Sequence, residues 1–357
     1  MPEPARIGSY RASDVSMLLT DLTRENQIRQ VADNGGFEHC PARPDDGRLG
    51  QEYQPSPEYR MAVRELIVRS AGSVALLGAV LAERILAVRP TGLVIVSIAR
   101  AGTPAGVIMK RWIQYRYGIT TPHFSLSVLP GQGLDPNAIE WLCRRYDPAT
   151  IQFVDSWTSK GTLATILNSS RASLQIPGLD GSLAVLADPA SSTDLCASRN
   201  DVLFPHACLG ALMSGLLGPT FYVNGLIGQD DFHGIMCHED GLDNDLSNIY
   251  LDTVCSYFPR IRGRVQQAVR TISAAPPPDY RGIREAKIIA SRYGASNLDL
   301  VNMGVSESSR GLLRRMPKVL LVNPGHTSKL DQLLRLAAER GVPVVRDASI
   351  SFGAVLL

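Results

Sequence analysis

The sequence lacks the long apolar run of a membrane helix, because none of its apolar stretches reaches about 18 uninterrupted residues. Its first residues also contain no apolar segment of the kind that a signal peptide carries. Its six cysteines form no CxxC pair, which favours free thiols in a reducing compartment and argues against zinc. We therefore expect a cytoplasmic protein that makes no contact with a membrane.

The composition is that of a globular protein with an uneven charge distribution. The 357 residues, 45% hydrophobic and 20% charged, suit two domains. The net charge is only +2, yet from residue 284 onward 11 Lys and Arg stand against 6 Asp and Glu. Such a basic tail favours a polyanionic partner.

The order of the patterns along the chain predicts two α/β units. Ser13 and Asp14 suit the cap of a helix that runs through Leu22, and residues 58–88 have a long helical pattern that ends before Pro90. Strand patterns then alternate with helical patterns; the strands are GLVIVSI, HFSLSVL, IQFVD and SLAVLAD. This alternation predicts a doubly wound parallel sheet that binds ligands at the carboxyl ends of its strands.

The domain boundaries follow from these patterns and from a Pro-Pro-Pro segment. A β-α-β-α-β series follows that segment and begins with the apolar run KIIASRY. The predicted organisation is a helical lead-in (1–60), an α/β body (61–270), a Pro-rich linker (271–283) and a small C-terminal α/β domain (284–357).

Two loops of the body have the composition of anion-binding turns. Asp155 ends a strand and is followed by a turn rich in hydroxyls and glycine at a helix start, where backbone N–H groups can face a phosphate. Its carboxylate can hold ribose hydroxyls or a Mg²⁺ ion carried by a diphosphate. In the second loop, small residues surround Arg100 directly after a buried strand, which suits a bidentate pyrophosphate contact. The alternatives are an ordinary capped βα turn and a solvated arginine.

A third segment, Asp230-Asp231-Phe232-His233, places two carboxylates beside an imidazole in a Gly-rich region. This combination can bind a metal or act as acid and base. An exposed acidic turn is the alternative.

The chain resembles the StiP family, in which a phosphoribosyltransferase-like domain precedes a Pelota-type RNA-binding domain and whose genes often lie near tellurite-resistance genes. The motifs that carry the resemblance are IGSYRASDVSMLL, VSIARAGTPAGV, HFSLSV, GLDPNAI, FVDSWTSKG, LAVLAD and DDFHG. The resemblance implies a type I phosphoribosyltransferase-like doubly wound sheet plus a small Pelota-like (kink-turn-binding) α/β domain.

The resemblance also implies an activity, the transfer of ribose 5-phosphate from PRPP to a nitrogenous acceptor with Mg²⁺ and release of pyrophosphate. Catalysis would fall to Arg100, Asp155, Asp231 and His233, with Asp155 also at the metal. The loop PGQGLDPN would be a mobile lid. The residues that it assigns to PRPP are Ala99, Arg100, Ala101, Gly102, Asp155, Ser156, Thr158, Ser159, Lys160, Gly161 and Thr162.

Two alternative functions stay open at this point. Members of the StiP family are often described as cysteine proteases, and such an enzyme needs a thiol activated by a histidine. Three cysteines have a histidine nearby in sequence: Cys40 (His39), Cys208 (His206) and Cys237 (His233, His238). Cys237 is the strongest candidate among them. The other alternative is a non-catalytic nucleotide-sensing RNA-binding regulator.

The C-terminal segment GVSESSRGLLRR resembles the Pelota and kink-turn-binding motif, in which a helix start grips a bent RNA backbone. The resemblance assigns RNA contacts to Gly304, Ser306, Glu307, Ser309 and Arg310. The alternative is a dimerisation or docking module, and a homodimer is compatible with the sequence.

Overall fold

The computed structural model describes residues 2–23, 52–129, 131–223 and 225–357, which form a mixed α/β protein. The strands are β1 (Ser16–Leu18), β2 (Thr20–Asp21), β3 (Val94–Ile98), β4 (His123–Leu126), β5 (Val128–Leu129), β6 (Gly133–Leu134), β7 (Ile151–Trp157), β8 (Leu183–Ala187), β9 (Leu195–Cys196), β10 (Leu217–Phe221), β11 (Gly234–Cys237), β12 (Asn302–Met303), β13 (Leu320–Val322), β14 (Val344–Arg346) and β15 (Ala354–Leu356). The α-helices are α1 (Pro57–Val88), α2 (Gly102–Tyr117), α3 (Pro136–Cys143), α4 (Thr162–Leu174), α5 (Pro205–Cys208), α6 (Ser247–Cys255), α7 (Phe258–Ile261), α8 (Val265–Ser273), α9 (Arg281–Tyr293), α10 (Val305–Arg314) and α11 (Asp331–Glu339).

The main sheet has six strands in the order β1-β4-β3-β7-β8-β9, and all neighbouring strands are parallel. β3 and β8 are buried along their whole length, as their continuous apolar sequences require. The four strands predicted from the sequence are β3, β4, β7 and β8, which confirms the parallel α/β arrangement.

Helices cover both faces of this sheet because successive side chains of a strand point to opposite sides. Val94 and Val96 pack with α3 and α4, whereas Ile95 packs with α1 and α2. The result is two hydrophobic cores, one on each face of the sheet.

Helix α1 extends over 32 residues, begins at a Ser56 cap and ends before Pro90, close to the predicted bounds. Within the described residues it is the one helix that is long and apolar enough to cross a membrane, and half of its most apolar window is buried inside the protein. Its apolar residues pack against α2, α6 and α8, which is the environment of a core helix.

The helix predicted from Ser13 and Asp14 is wrong, because this segment forms β1 and β2. β1 pairs in parallel with β4 and extends the main sheet, and β2 pairs with β11 in a small second sheet of order β10-β11-β2. The run Met17-Leu18-Leu19 fits a buried edge strand as well as a helix, and tertiary pairing decides between the two. Cys40 and the neighbouring His39 lie outside the described residues.

The C-terminal unit contains a four-stranded sheet of order β12-β15-β13-β14 with helices α9, α10 and α11. The strand predicted for KIIASRY is wrong, since this run belongs to α9. Ala286, Ile289 and Ala290 recur at helical spacing and are buried on one side of that helix.

The C-terminal unit packs directly on the body. Leu312, Leu333 and Leu336 belong to the same hydrophobic cluster as the buried residues of α1 and α2. The Pro-rich segment is fixed at its end, because Tyr280 N–H donates to Ser191 O (2.8 Å) and Gly282 N–H donates to Ala190 O (3.1 Å).

Candidate functional site

The two turns singled out in the sequence lie at the same edge of the main sheet. Residues 99–102 follow β3 and residues 158–162 follow β7, and Ser97 pairs with Val154 in the parallel register of the two strands. The carboxyl ends of neighbouring parallel strands meet at one edge, so the structure brings these two turns together.

Arg100 does not point into an open anion site. Its side chain is buried, forms an ion pair with Glu52 and donates from Nη1 to Leu217 O (2.8 Å). Burial lowers the pKa of the Arg100 guanidinium. Burial opposes ionisation of Glu52, but the charges of Arg100 and Arg314 outweigh it and lower the Glu52 pKa to about 2. The Arg100 guanidinium is therefore engaged with groups of the protein itself.

Asp155 and Ser156 at the end of β7 are also engaged by protein groups. Burial raises the pKa of Asp155 to about 7, although Oδ1 accepts the Ser156 N–H (2.7 Å). The Ser156 hydroxyl donates to Ala101 O (2.6 Å) and lies 3.0 Å from His206 Nε2. Burial lowers the pKa of His206 to about 3, so this imidazole is neutral.

The hydroxyl-rich turn after β7 is tied to its own backbone and to the C-terminal unit. Thr158 Oγ1 accepts the Gly161 N–H (3.2 Å), and Gly161 has a left-handed φ of 82° at the start of α4. Lys160 Nζ donates to Leu298 O (2.7 Å). A Cβ at Gly282 would lie 2.5 Å from Ser159 O, which shows how closely α9 approaches this turn.

Helix α10 lies over the same edge. Trp157 Nε1 donates to Glu307 Oε2 (2.9 Å), and the Arg310 guanidinium lies 6.0 Å from the centre of the Trp157 ring. Ser306 Oγ donates to Val202 O (2.8 Å) and accepts the Phe204 N–H (2.9 Å). The start of α10 thus lies against the end of β7 and the turn that follows it.

The five residues that the resemblance assigns to RNA therefore face the body. Ser306 and Ser309 are buried, and Ser309 Oγ donates within the helix to Val305 O (2.8 Å). Gly304 has a φ of +86°, and a Cβ there would lie 2.9 Å from Asp201 Oδ1. The structure brings the predicted phosphate-binding residues and the predicted RNA-binding residues into one interface.

The segment 230–233 lies apart from that interface. Asp231 Oδ2 accepts the Gly228 N–H (3.0 Å) and closes a turn. His233 is buried, its backbone N–H donates to Asp135 Oδ2 (2.6 Å), and burial lowers its pKa. The part of the chain that the structure describes contains no group of three or more His, Cys, Asp or Glu residues that can hold a metal. Mg²⁺ at Asp155 stays a prediction.

The thiols of the described cysteines are not paired with imidazoles. Burial raises the pKa of Cys208 to about 12; its side chain contacts Tyr59 and Ser309, while the nearby His206 turns to Ser156. Burial raises the pKa of Cys255 to about 11 despite the adjacent Arg111. Cys143 and Cys196 have thiol pKa values that burial also raises.

Cys237 differs from these residues in its surroundings. It lies at the end of β11, is half-buried, and its thiol contacts the Thr23 hydroxyl and the Gly8 N–H. Burial and the nearby Asp21 carboxylate raise the pKa of Cys237 to about 11, and the Thr23 hydroxyl and the Gly8 N–H oppose that shift. Gly8 also lines a cleft of about 300 Å³.

The chain is thus a two-part α/β protein, with a six-stranded parallel sheet capped by a smaller C-terminal unit. A family model described as "Tellurite-like stress resistance cysteine protease StiP" matches residues 8–255, and one described as "PELOTA RNA binding domain" matches residues 280–357. Since the first match covers more than half of the sequence, the chain belongs to the StiP family. It is 26% identical over 279 residues to "Cysteine protease StiP" of Acinetobacter baylyi, covering 74% of this chain and 72% of that protein. No solved structure matches the chain.

These findings confirm the family and correct the function. The prediction of a phosphoribosyltransferase that uses PRPP is wrong, because the family is described as a cysteine protease. The contacts at the carboxyl ends of the strands agree with this correction. Arg100 is paired with Glu52, and α10 packs on Trp157 at the end of β7.

The sequence gives no sign of Glu52 in this region, and it suggests His206 only as a neighbour of Cys208. Glu52 and Arg314 complete the buried charge cluster around Arg100, and His206 binds Ser156. Glu52 ends a polar segment 48 positions before Arg100, and nothing in that segment indicates a buried carboxylate. His206 does carry a signal, because a histidine within the apolar run PHACLGALM predicts a buried imidazole with a polar partner.

Proposed function

We propose that this chain is a cysteine protease and that Cys237 supplies its nucleophile. The observation that carries the proposal is the match of residues 8–255 to the StiP cysteine protease family, a range that includes Cys237. Of the described cysteines, Cys237 combines partial exposure, the Thr23 hydroxyl and the Gly8 N–H beside its sulfur, and a neighbouring cleft. The Gly8 N–H can donate to a thiolate, and the Thr23 hydroxyl, whose own proton is directed to Asp21, can accept the thiol proton.

The proton of the Cys237 thiol needs an acceptor, and we infer that Asp21 accepts it through Thr23. Thr23 Oγ1 accepts the Cys237 backbone N–H (2.8 Å) and donates to Asp21 Oδ1 (2.5 Å). The thiol proton can pass to Thr23 while the Thr23 proton passes to Asp21. The sulfur then attacks the peptide carbonyl, and the C–N bond breaks as Asp21 returns the proton to the leaving amine. Water then hydrolyses the resulting thioester, which releases the carboxylate product and restores the Cys237 thiol.

The neighbouring histidines are badly placed for this role. His238 directly follows Cys237, and successive side chains of an extended chain point to opposite faces. His233 lies four residues away, which is about 13 Å along an extended chain. A carboxylate relay is therefore the arrangement that the contacts of Cys237 favour.

Hydrolysis of fluorescein-labelled denatured casein tests the proposal. We expect activity from the full chain, its loss in Cys237→Ser, and a strong decrease in Thr23→Val, which keeps the shape but removes the hydroxyl. Cys143→Ser is the matched control, because Cys143 is half-buried and we expect full activity there. Full activity of Cys237→Ser would contradict the assignment.

We further propose that the C-terminal unit binds RNA, and the match of residues 280–357 to the PELOTA RNA binding domain supports this. Binding of the full chain to a structured RNA hairpin should weaken steeply as salt rises from 50 to 200 mM, because phosphate contacts release counterions. Failure to bind at 50 mM salt would contradict it.

At the level of the fold, we propose that the body keeps a type I phosphoribosyltransferase-like arrangement without that activity. The support is the parallel sheet with its loops after β3 and β7. Superposition of a crystal structure on that fold tests the proposal, and a different strand order would contradict it.

We also propose that the protein resides in the cytoplasm. The packing of α1 in the core and the free thiols of the described cysteines support this location. Cell fractionation tests the proposal, and recovery in the membrane pellet would contradict it.

A further inference from the structure

Helix α9 presents a basic face to solvent. Gly282, Ala286, Ile289 and Ala290 form its buried side. The cationic residues Arg281, Arg284, Lys287 and Arg292 lie on the exposed side of the helix. From Arg281 to Arg292 this face extends over about 16 Å at the rise of an α-helix, long enough to contact several groups of an extended polyanion.

Uncharged side chains that suit nucleic acid flank these cations. Tyr280 is 56% exposed before the helix and Tyr293 is 38% exposed at its end, while Ile288 is 57% exposed between them. Arginines and exposed aromatic rings together are typical of surfaces that contact the sugar–phosphate backbone and stack on bases.

The neighbouring acids only partly neutralise this face. Asp279 lies 3.7 Å from Arg281 and 3.9 Å from Arg284, and Asp347 lies 3.3 Å from Arg292. The carboxylate of Glu285 is occupied by the Ser351 N–H and hydroxyl at the edge of the helix. The four cations therefore outnumber the acids beside them.

The start of α10 offers no comparable surface in this structure. Ser306 and Ser309 are buried, and Glu307 is bonded to Trp157 of the body. An RNA that binds the C-terminal unit in this arrangement has to contact another of its surfaces.

We propose that the exposed face of α9, consisting of Arg281, Arg284, Lys287 and Arg292, binds the sugar–phosphate backbone of RNA. The inference rests on the proposed RNA binding. It locates that binding on α9, whereas the sequence indicates α10. The contacts are to phosphates, so they give affinity with little sequence preference.

A pair of charge-matched triple variants of the full chain tests the surface. Arg281→Gln/Arg284→Gln/Lys287→Gln removes three cations from α9. Arg260→Gln/Arg262→Gln/Arg264→Gln removes three exposed arginines from the body. The probe is a fluorescent RNA hairpin of about 16 base pairs, titrated between 50 and 200 mM salt. Thermal melting of both variants establishes that they are folded.

We expect the α9 variant to bind more weakly and its slope of log K against log salt to flatten by about 2 to 3, with the body variant unchanged. An unchanged slope in the α9 variant overturns this surface while the RNA proposal stands. No binding by the wild-type chain overturns both. Polyglutamate that binds as tightly as RNA and is released by the same substitutions overturns RNA as the partner.

Discussion

At the scale of single residues, the charges at the carboxyl edge of the main sheet are neutralised inside the protein. Arg100 is paired with Glu52, and Arg314 Nε lies 3.5 Å from the same carboxylate. Arg100, which the sequence assigns to a pyrophosphate, thus has a structural role. Removing one partner of a buried ion pair leaves an uncompensated charge, whereas an exposed pair contributes little.

We expect Arg100→Leu to lower the free energy of unfolding by about 3–5 kcal/mol, because Glu52 would stay buried with one weaker partner. Arg144→Leu is the control: it removes an exposed i,i+4 pair with Glu140 and should change stability by less than about 1 kcal/mol. Urea unfolding measures both values. Equal effects of the two substitutions would show that burial of the Arg100 pair has no special energetic role.

The buried imidazole of His206 makes stability depend on pH. Burial lowers its folded-state pKa to about 3, whereas an unfolded histidine titrates near 6.5. The folded state therefore binds fewer protons below pH 6.5, so stability is complete above that pH and falls as the solution is acidified. One such group contributes a loss of about 2 kcal/mol at pH 5.

We expect His206→Gln to lose less stability than the wild type between pH 7 and pH 5, measured by urea unfolding at both values. Tyr250→Phe is the control, because it removes the hydroxyl 3.2 Å from His206 Nδ1 and leaves the imidazole in place. A pH dependence in His206→Gln as steep as that of the wild type would exclude His206 as its source.

At the scale of the elements, the sequence predicts what local patterning determines. β3 and β8 are readable from their largely apolar sequences, β7 from its place in the alternation of strands and helices, and α1 from its length and its Pro90 stop. The errors fall where a short apolar run suits two structures. Residues 16–18 and 20–21 form strands by pairing with β4 and β11. Ile288-Ile289 lies in a helix because the alanines around it face the C-terminal core.

One element contact that no pattern reveals is the approach of α2 to β7. A Cβ at Gly102, the first residue of α2, would lie 2.6 Å from Val154 O and 3.1 Å from Asp155 Cα. We expect Gly102→Ala to destabilise the protein by about 1–3 kcal/mol through overpacking. Gly263→Ala is the control, since its Cβ would meet nothing within 4 Å. Equal melting temperatures of the two variants would contradict this close contact.

At the scale of the whole molecule, the C-terminal unit is part of the folded body. Its helix α10 lies over the carboxyl edge of the main sheet. Its buried leucines belong to the same hydrophobic core as α1 and α2. Long-range contacts such as Trp157–Glu307 and Phe204–Ser306 join positions more than 100 residues apart. The sequence predicts each surface by itself and gives no indication that the two surfaces cover one another.

We therefore expect the full chain to unfold in one calorimetric transition. Leu312→Ala, at a fully buried position of α10, should lower the free energy of unfolding by about 2–5 kcal/mol and move the single transition as a whole to lower temperature. Separate transitions for body and C-terminal unit, with only the second shifted, would contradict a shared core.

The measurement that most directly tests the central claim is mass-spectrometric mapping of a peptidyl vinyl sulfone, which forms a covalent bond with the nucleophilic thiol of a cysteine protease. We predict one modified peptide that carries the adduct on Cys237, and its disappearance in Thr23→Val. An adduct on Cys40, Cys208 or another cysteine, together with an unmodified Cys237, would contradict the account.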